Sequence, residues 1–93
     1  MIIGQKLRAL REEKGLLLRQ VAAELEVDTA YISKMERGEK NIKREYILKL
    51  ASLYDYPEDD LVTLWLADKV FDLLKGEKNA LDALKIAEVN FKN

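Results

Sequence analysis

An all-α fold is what this 93-residue sequence predicts, on three observations. One proline and four glycines are all that interrupt the chain. Leu, Ala, Glu and Lys, which lose little rotamer freedom in a helix, are abundant. Apolar residues recur at i, i+3, i+4 spacing, and no alternating β-branched run marks a strand.

Ile3, Leu7 and Leu10 share one helical face that ends near Lys14, and Gly15 suits a left-handed stop, so a first helix is expected over 3–14. Val21, Ala22 and Leu25 span two turns before Glu26-Val27-Asp28 interrupts them, which makes the second helix short. Asp28 is a good N-cap for a third helix over 29–37, with Ile32 and Met35 inward and Gly38 as its stop. Ile47, Leu50, Ala51 and Tyr54 place a fourth helix over 44–54. Pro57 at a first helical position, followed by Glu58, Asp59 and Asp60 in the positive end of the helix dipole, starts a fifth that reaches Lys75. Gly76 stops it, and Asn79 caps a sixth helix in which Ala80, Ala83, Leu84, Ala87 and Phe91 form one stripe. No linker, low-complexity tract or internal repeat divides the series.

A chain this short without cysteine has one small core, so burial against a partner, most simply oligomerisation, is expected to supplement it. The absence of His and Cys removes the imidazole base, the thiolate nucleophile and His/Cys zinc sites, and no cofactor or metal is expected. No signal-peptide pattern opens the chain and no apolar run is long enough to span a bilayer, which points to a soluble cytoplasmic protein without a membrane partner. Lys and Arg number 16 against 17 Asp and Glu, yet the balance is uneven. Residues 1–56 carry 11 basic and 9 acidic side chains, whereas 57–93 carry 5 and 8. Within 29–49 six basic residues face three acidic ones, either a solvated face or a patch for a polyanion.

Two short helices joined by a three-residue turn, with apolar Val21, Leu25, Val27, Ile32 and Met35 and a small Ala22 where the helices cross, match a helix-turn-helix pattern. The outer face of the second helix then carries Thr29, Ala30, Ser33, Lys34 and Arg37, a set of donors and small groups suited to a major groove. The stretch from Ile3 to Leu61 resembles the phage-repressor-type (XRE, Cro-like) helix-turn-helix family. The resemblance is carried by Leu7-Arg8, Leu10-Arg11-Glu12, Lys14-Gly15-Leu16, Val21-Ala22, Tyr31-Ile32-Ser33-Lys34-Met35-Glu36-Arg37-Gly38 and Ile47-Leu48-Lys49-Leu50-Ala51. It implies a five-helix repressor-like domain over 1–61 plus a C-terminal helical extension over 62–93, and it implies binding to double-stranded DNA as a bacterial or phage-encoded transcriptional regulator.

On that resemblance Thr29, Ala30 and Lys34 stand where base-reading side chains stand, and Tyr31, Ser33 and Arg37 are placed for the sugar-phosphate. Exposed filler is the plain alternative for Tyr31 and Ser33, and a surface carboxylate pair for Arg37. Glu36 is expected to fix neighbouring helix ends or Arg37. The segment leading into the fourth helix offers Lys40, Asn41, Lys43 and Arg44 as phosphate clamps, against the alternative of a solvated basic turn. Two departures stand out: Leu17 and Leu18 replace the usual cap and phosphate-contacting Gln, leaving Arg19 or Gln20 as substitutes, and Glu26 replaces the turn glycine.

In the fifth helix Val62, Leu64, Leu66, Ala67, Val70, Phe71, Leu73 and Leu74 cover a broad arc, with Leu61 and Trp65 opposite among Asp68, Lys69 and Asp72. Such a helix must be sandwiched, and Leu64, Trp65, Leu66, Val70, Phe71 and Leu74 are the expected homodimer surface, the sixth helix covering it or crossing to the partner. Two recognition helices would then read an inverted repeat. The compact size suggests a restriction–modification controller, with no small-molecule ligand. Glu24 or Glu26 near the turn is either ordinary surface charge or a contact for RNA polymerase. The rival functions are a helical protein-binding module, an antitoxin-type repressor, and an enzyme using scattered carboxylates or Lys, the last with no constellation to support it.

Overall fold

The computed structural model describes residues 2–93, which form six helices: α1 (Ile2–Glu13), α2 (Leu18–Leu25), α3 (Thr29–Glu36), α4 (Arg44–Leu53), α5 (Glu58–Leu74) and α6 (Ala80–Lys92). The predicted all-α order is observed, with the expected helix limits moved by about one residue. Pro57 precedes α5 instead of opening it: its ψ of 122° is extended while its carbonyl already accepts the Leu61 N–H at 3.1 Å.

One core unites α1 to α5, built on Leu7, Val21, Met35, Ile47, Leu50 and Leu61, with Ile42 and Tyr54 contributed by the segments that flank α4. Burial raises the Tyr54 phenol well above the usual tyrosine range, with Glu36 adding to the shift and Arg11 opposing it.

Four helix ends share one hydrogen-bond solution. After α1 the Leu16 N–H donates to the Arg11 carbonyl and the Gly15 N–H to that of Glu12, both at 3.0 Å. The same two bonds close α2 (Val27 to Ala22, Glu26 to Ala23), α3 (Glu39 to Lys34, Gly38 to Met35) and α4 (Tyr56 to Ala51, Asp55 to Ser52). Each closure needs a left-handed residue, supplied by Gly15 (φ 68°), Glu26 (φ 57°), Gly38 (φ 77°) and Asp55 (φ 51°). Glu26 and Asp55 carry a Cβ there, which costs about 1–2 kcal/mol each.

Two buried polar anchors seat α5. Asp68, 3% exposed, accepts the N–H of Ile2 at 3.1 Å and of Ile3 at 2.6 Å, and so caps α1 from 66 and 65 residues along the chain. The Trp65 indole donates its Nε1–H to the Ile42 carbonyl at 2.7 Å. Leu61, Trp65 and Asp68 are thus the inward stripe of α5. This removes Trp65 from the expected dimer surface: it is 9% exposed in its own core, because its N–H and the Asp68 carboxylate find backbone partners that the broad apolar arc has no groups to engage. Leu64 and Val62 pack partly against the core, whereas Leu66, Val70, Phe71 and Leu73 are exposed. α5 also runs unbroken across the boundary expected between 61 and 62. α6 buries no described residue, and between it and the end of α5 lies an open groove of about 600 Å³ lined by Val70, Phe71, Leu74, Ala80, Leu81 and Leu84.

Gly4 makes the crossing of α1 on α3 possible. A Cβ at that position would stand 2.7 Å from both the Met35 and Glu36 carbonyl oxygens, which are backbone and cannot rotate away.

Two substitutions test this description. Gly4→Ala is expected to lose about 1–3 kcal/mol in denaturant unfolding as α3 is pushed from α1; wild-type stability would contradict the close approach. Glu26→Gly is expected to gain about 1 kcal/mol, left-handed strain being relieved against glycine's larger unfolded freedom. That corresponds to a Tm higher by about 4–8 °C, and a lower Tm would refute the strain at this turn.

Candidate nucleic-acid interface

Three local devices hold α3. At its start the Asp28 carboxylate accepts the Tyr31 N–H at 2.8 Å, the expected N-cap. At its end Glu36 meets Arg11 of α1 side-on, Nε to Oε2 at 2.8 Å and a second guanidinium nitrogen to Oε1 at 3.1 Å, while the third donates to the Leu16 carbonyl at 3.0 Å. The pair is largely buried, its side chains 13% and 7% exposed, and the hydrogen bond to Glu36 raises the Arg11 pKa further. Glu36 therefore ties helix ends together, by way of Arg11 and not Arg37. On the flank, the Tyr31 ring meets Tyr46 of α4 edge to face at 5.8 Å, with the Lys40 ammonium 6.0 Å from the Tyr31 centroid. Burial raises the Tyr31 phenol pKa, and Tyr46 adds to it.

With Ile32 and Met35 buried, the opposite face of α3 is left open. Thr29, Ala30 and Lys34 are exposed on it, and among the described residues Lys34 forms no ion pair. Ser33 and Arg37 are engaged with each other: one Arg37 nitrogen donates to Ser33 Oγ at 2.8 Å and Nε pairs with Glu39. Arg37 correspondingly holds the Glu39 carboxyl below the usual range. The carboxylate pair weighed against a phosphate contact for Arg37 is thus present in this conformation.

The start of α2 shows how the unusual Leu17 is accommodated. Leu17 occupies the N-cap without a side-chain acceptor, and Gln20 Oε1 accepts the Leu17 N–H at 2.8 Å, half of a capping box. Gln20 is occupied by this bond, and Arg19 beside it is exposed.

The segment between α3 and α4 divides in two. Ile42 is buried and pins its centre, with Lys40 and Asn41 exposed before it and Lys43 and Arg44 exposed after it. Lys40 leans toward α3, as its approach to Tyr31 shows. Asn41 and Lys40 line a shallow hollow with Phe71 and Asp72 of α5 and with Lys75 just beyond it. Arg44 lies over the Trp65 ring at 5.1 Å, and Lys69 approaches the same ring at 4.5 Å. The structure thus brings Tyr31, Ser33, Lys34, Arg37 and Lys40 together around α3, sets Arg44 and Asn41 toward α5, and leaves Arg19 on α2. Sequence reasoning missed the roles of Tyr46 and Arg11, whose partners lie 15 and 25 residues away on other helices, and of Lys69, which covers the Trp65 ring from one turn along α5.

Comparison with known proteins agrees with this geometry. Residues 2–64 match the helix-turn-helix domain family. Over 62 residues the chain is 37% identical to the HTH-type transcriptional regulator DdrOP3 of Deinococcus deserti, covering 67% of this chain and 48% of that protein. Over 60 residues it is 40% identical to the HTH-type transcriptional repressor RghR of Bacillus subtilis, covering 63% and 44%. The chain therefore spans about half the length of these relatives or less. A chain in the solved SinR–SinI complex shares the fold, with a TM-score of 0.57 at 24% identity over 98% of this chain and 99% of that one. The helix-turn-helix formed by α2 and α3, the match over 2–64 and these relatives together show that the chain belongs to the XRE-like helix-turn-helix family.

Proposed function

We propose that this chain is a sequence-specific DNA-binding transcriptional regulator that acts as a homodimer, lowering two copies of α3 into successive major grooves of an inverted repeat about 34 Å apart. The observation that carries the reading is the outward face of α3, where Thr29, Ala30 and Lys34 stand exposed on a helix whose other face is buried and whose two ends are fixed. Lys34 can donate to guanine O6 and N7, and Ala30 or the Thr29 methyl can meet a thymine methyl. Lys40, Lys43, Arg44 and Arg19 supply exposed positive charge for phosphates, with Tyr31 and Ser33 as neutral donors. Arg37 joins them when a phosphate replaces Glu39, and Asn41 adds an exposed amide.

Support for the dimer comes from α5 and α6. Phe71 is 61% and Leu73 77% exposed, and with Leu66, Val70 and Leu74 they form an apolar surface suited to a second copy. The same groove favours the second reading, a helical module that binds a partner protein. Binding, not catalysis, is the proposed activity, since the sequence has no His or Cys to serve as imidazole base or thiolate nucleophile. No helix among the described residues is long and apolar enough to cross a membrane, and the reading implies action in the cytoplasm of a bacterial or phage-infected cell. Glu24 and Glu26, both exposed beside the turn, are where an activating regulator of this shape would meet RNA polymerase.

Selection of bound sites from random duplexes is the direct test. A palindromic consensus is expected, from which Lys34→Ala relaxes preference at one base position by about 1–3 kcal/mol, whereas Lys43→Ala weakens all sequences alike. No salt-dependent binding to any duplex would exclude this function and leave the protein-binding module.

A further inference from the structure

Trp65 touches the approach to α4 and the start of α4 itself. Its Nε1–H holds the Ile42 carbonyl at 2.7 Å, and its ring carries the Arg44 guanidinium at 5.1 Å. Ile42 is itself 4% exposed, so the midpoint of the basic segment is fixed by its side chain in the core and by its carbonyl on α5. Among the described residues neither Arg44 nor Lys69, the second cation on the ring, has a carboxylate within ion-pair distance. Arg44 is also the first residue of α4, where a side-chain cation opposes the helix dipole, and Lys43 at the N-cap provides no side-chain bond to the free N–H groups. The indole face compensates the arginine in the free protein.

We propose that Trp65 is a positioning residue for DNA-backbone contact: it pre-sets the Ile42 carbonyl and the Arg44 guanidinium so that Arg44 and the first N–H groups of α4 meet one phosphate oxygen group together. The proposal rests on the DNA-binding reading above and deepens it, because it assigns a phosphate-contact function to a helix outside the helix-turn-helix. A planar guanidinium stacked on an aromatic ring loses less freedom when it binds phosphate than an extended one in solvent. Through Trp65 and Asp68, the helix that carries the exposed apolar surface is also the helix that sets this contact.

The experiment measures duplex affinity against salt concentration for the wild-type chain, Trp65→Phe, Arg44→Ala and the double variant, at a temperature where thermal melts show all four folded. Trp65→Phe removes the Nε1–H bond to the Ile42 carbonyl and leaves a smaller ring face for Arg44, and is expected to weaken selected and random duplexes by the same factor, about threefold to tenfold, the scale of one lost hydrogen bond. It should also lower the slope of log K against log salt by about one, the signature of one lost phosphate contact, which simple destabilisation does not produce. The double variant should bind no more weakly than Arg44→Ala alone. A wild-type slope in Trp65→Phe beside a reduced slope in Arg44→Ala, or full additivity of the two losses, overturns the proposal while leaving DNA binding intact. A wild-type chain with no salt-dependent duplex binding overturns the functional reading itself. A measurement on the unmodified protein guards against misfolded variants: Trp65 is the sole tryptophan, and its emission should shift on adding saturating duplex and not shift in Arg44→Ala. An unchanged wild-type emission counts against the proposal.

Discussion

The Arg11–Glu36 pair is the constraint on which the rest of the fold depends. It is bidentate and nearly out of water, and the same guanidinium satisfies the Leu16 carbonyl in the turn before α2. One side chain of α1 thereby fixes the approach to α2 and the end of α3. A buried ion pair of this kind often adds little net stability over an apolar replacement, because desolvation offsets its attraction. Its effect here is geometric: the fork of Arg11 matches the Glu36 carboxylate in one orientation only, and α3 inherits that orientation. Gly4 contributes from the same face of α1, two turns earlier, by letting the α3 backbone come within contact of α1.

α5 repeats the strategy with neutral and charged partners. Asp68 satisfies amides at the start of α1, and Trp65 satisfies a carbonyl in the segment before α4. Both are long-range bonds between a side chain and backbone, so burial and polar satisfaction coincide. The broad apolar arc of α5, with no polar group to satisfy, is left for other contacts. α1 to α5 are therefore held by side chains that reach backbone groups far along the chain or in the turns between helices.

Much of this was legible in the sequence. The six helices, the Asp28 cap, the glycine stops at 15, 38 and 76 and the small Ala22 between α2 and α3 follow from local spacing and backbone chemistry, and the resemblance marked Glu26 as standing at the turn glycine's position. The exposure of Thr29, Ala30 and Lys34 followed from the same periodicity. The wheel set Trp65 with Leu61 opposite the apolar arc, yet the expected dimer surface included it; the inward face of α5 is marked instead by two polar groups whose partners lie 23 and about 66 residues away. Asp55 went unnoticed because a left-handed residue with a side chain has no compositional mark. The controller subtype was read from chain length, and no residue carries it.

If α3 reads bases as proposed, the Arg11–Glu36 fork is what orients it. The most direct test is the ratio of affinities for the selected duplex and a random duplex in Glu36→Gln, which keeps the side-chain shape but removes the charge that makes the fork symmetric. The account predicts a ratio that collapses toward one while random-duplex affinity and its salt dependence stay near wild type. A wild-type ratio in a folded Glu36→Gln protein would contradict it.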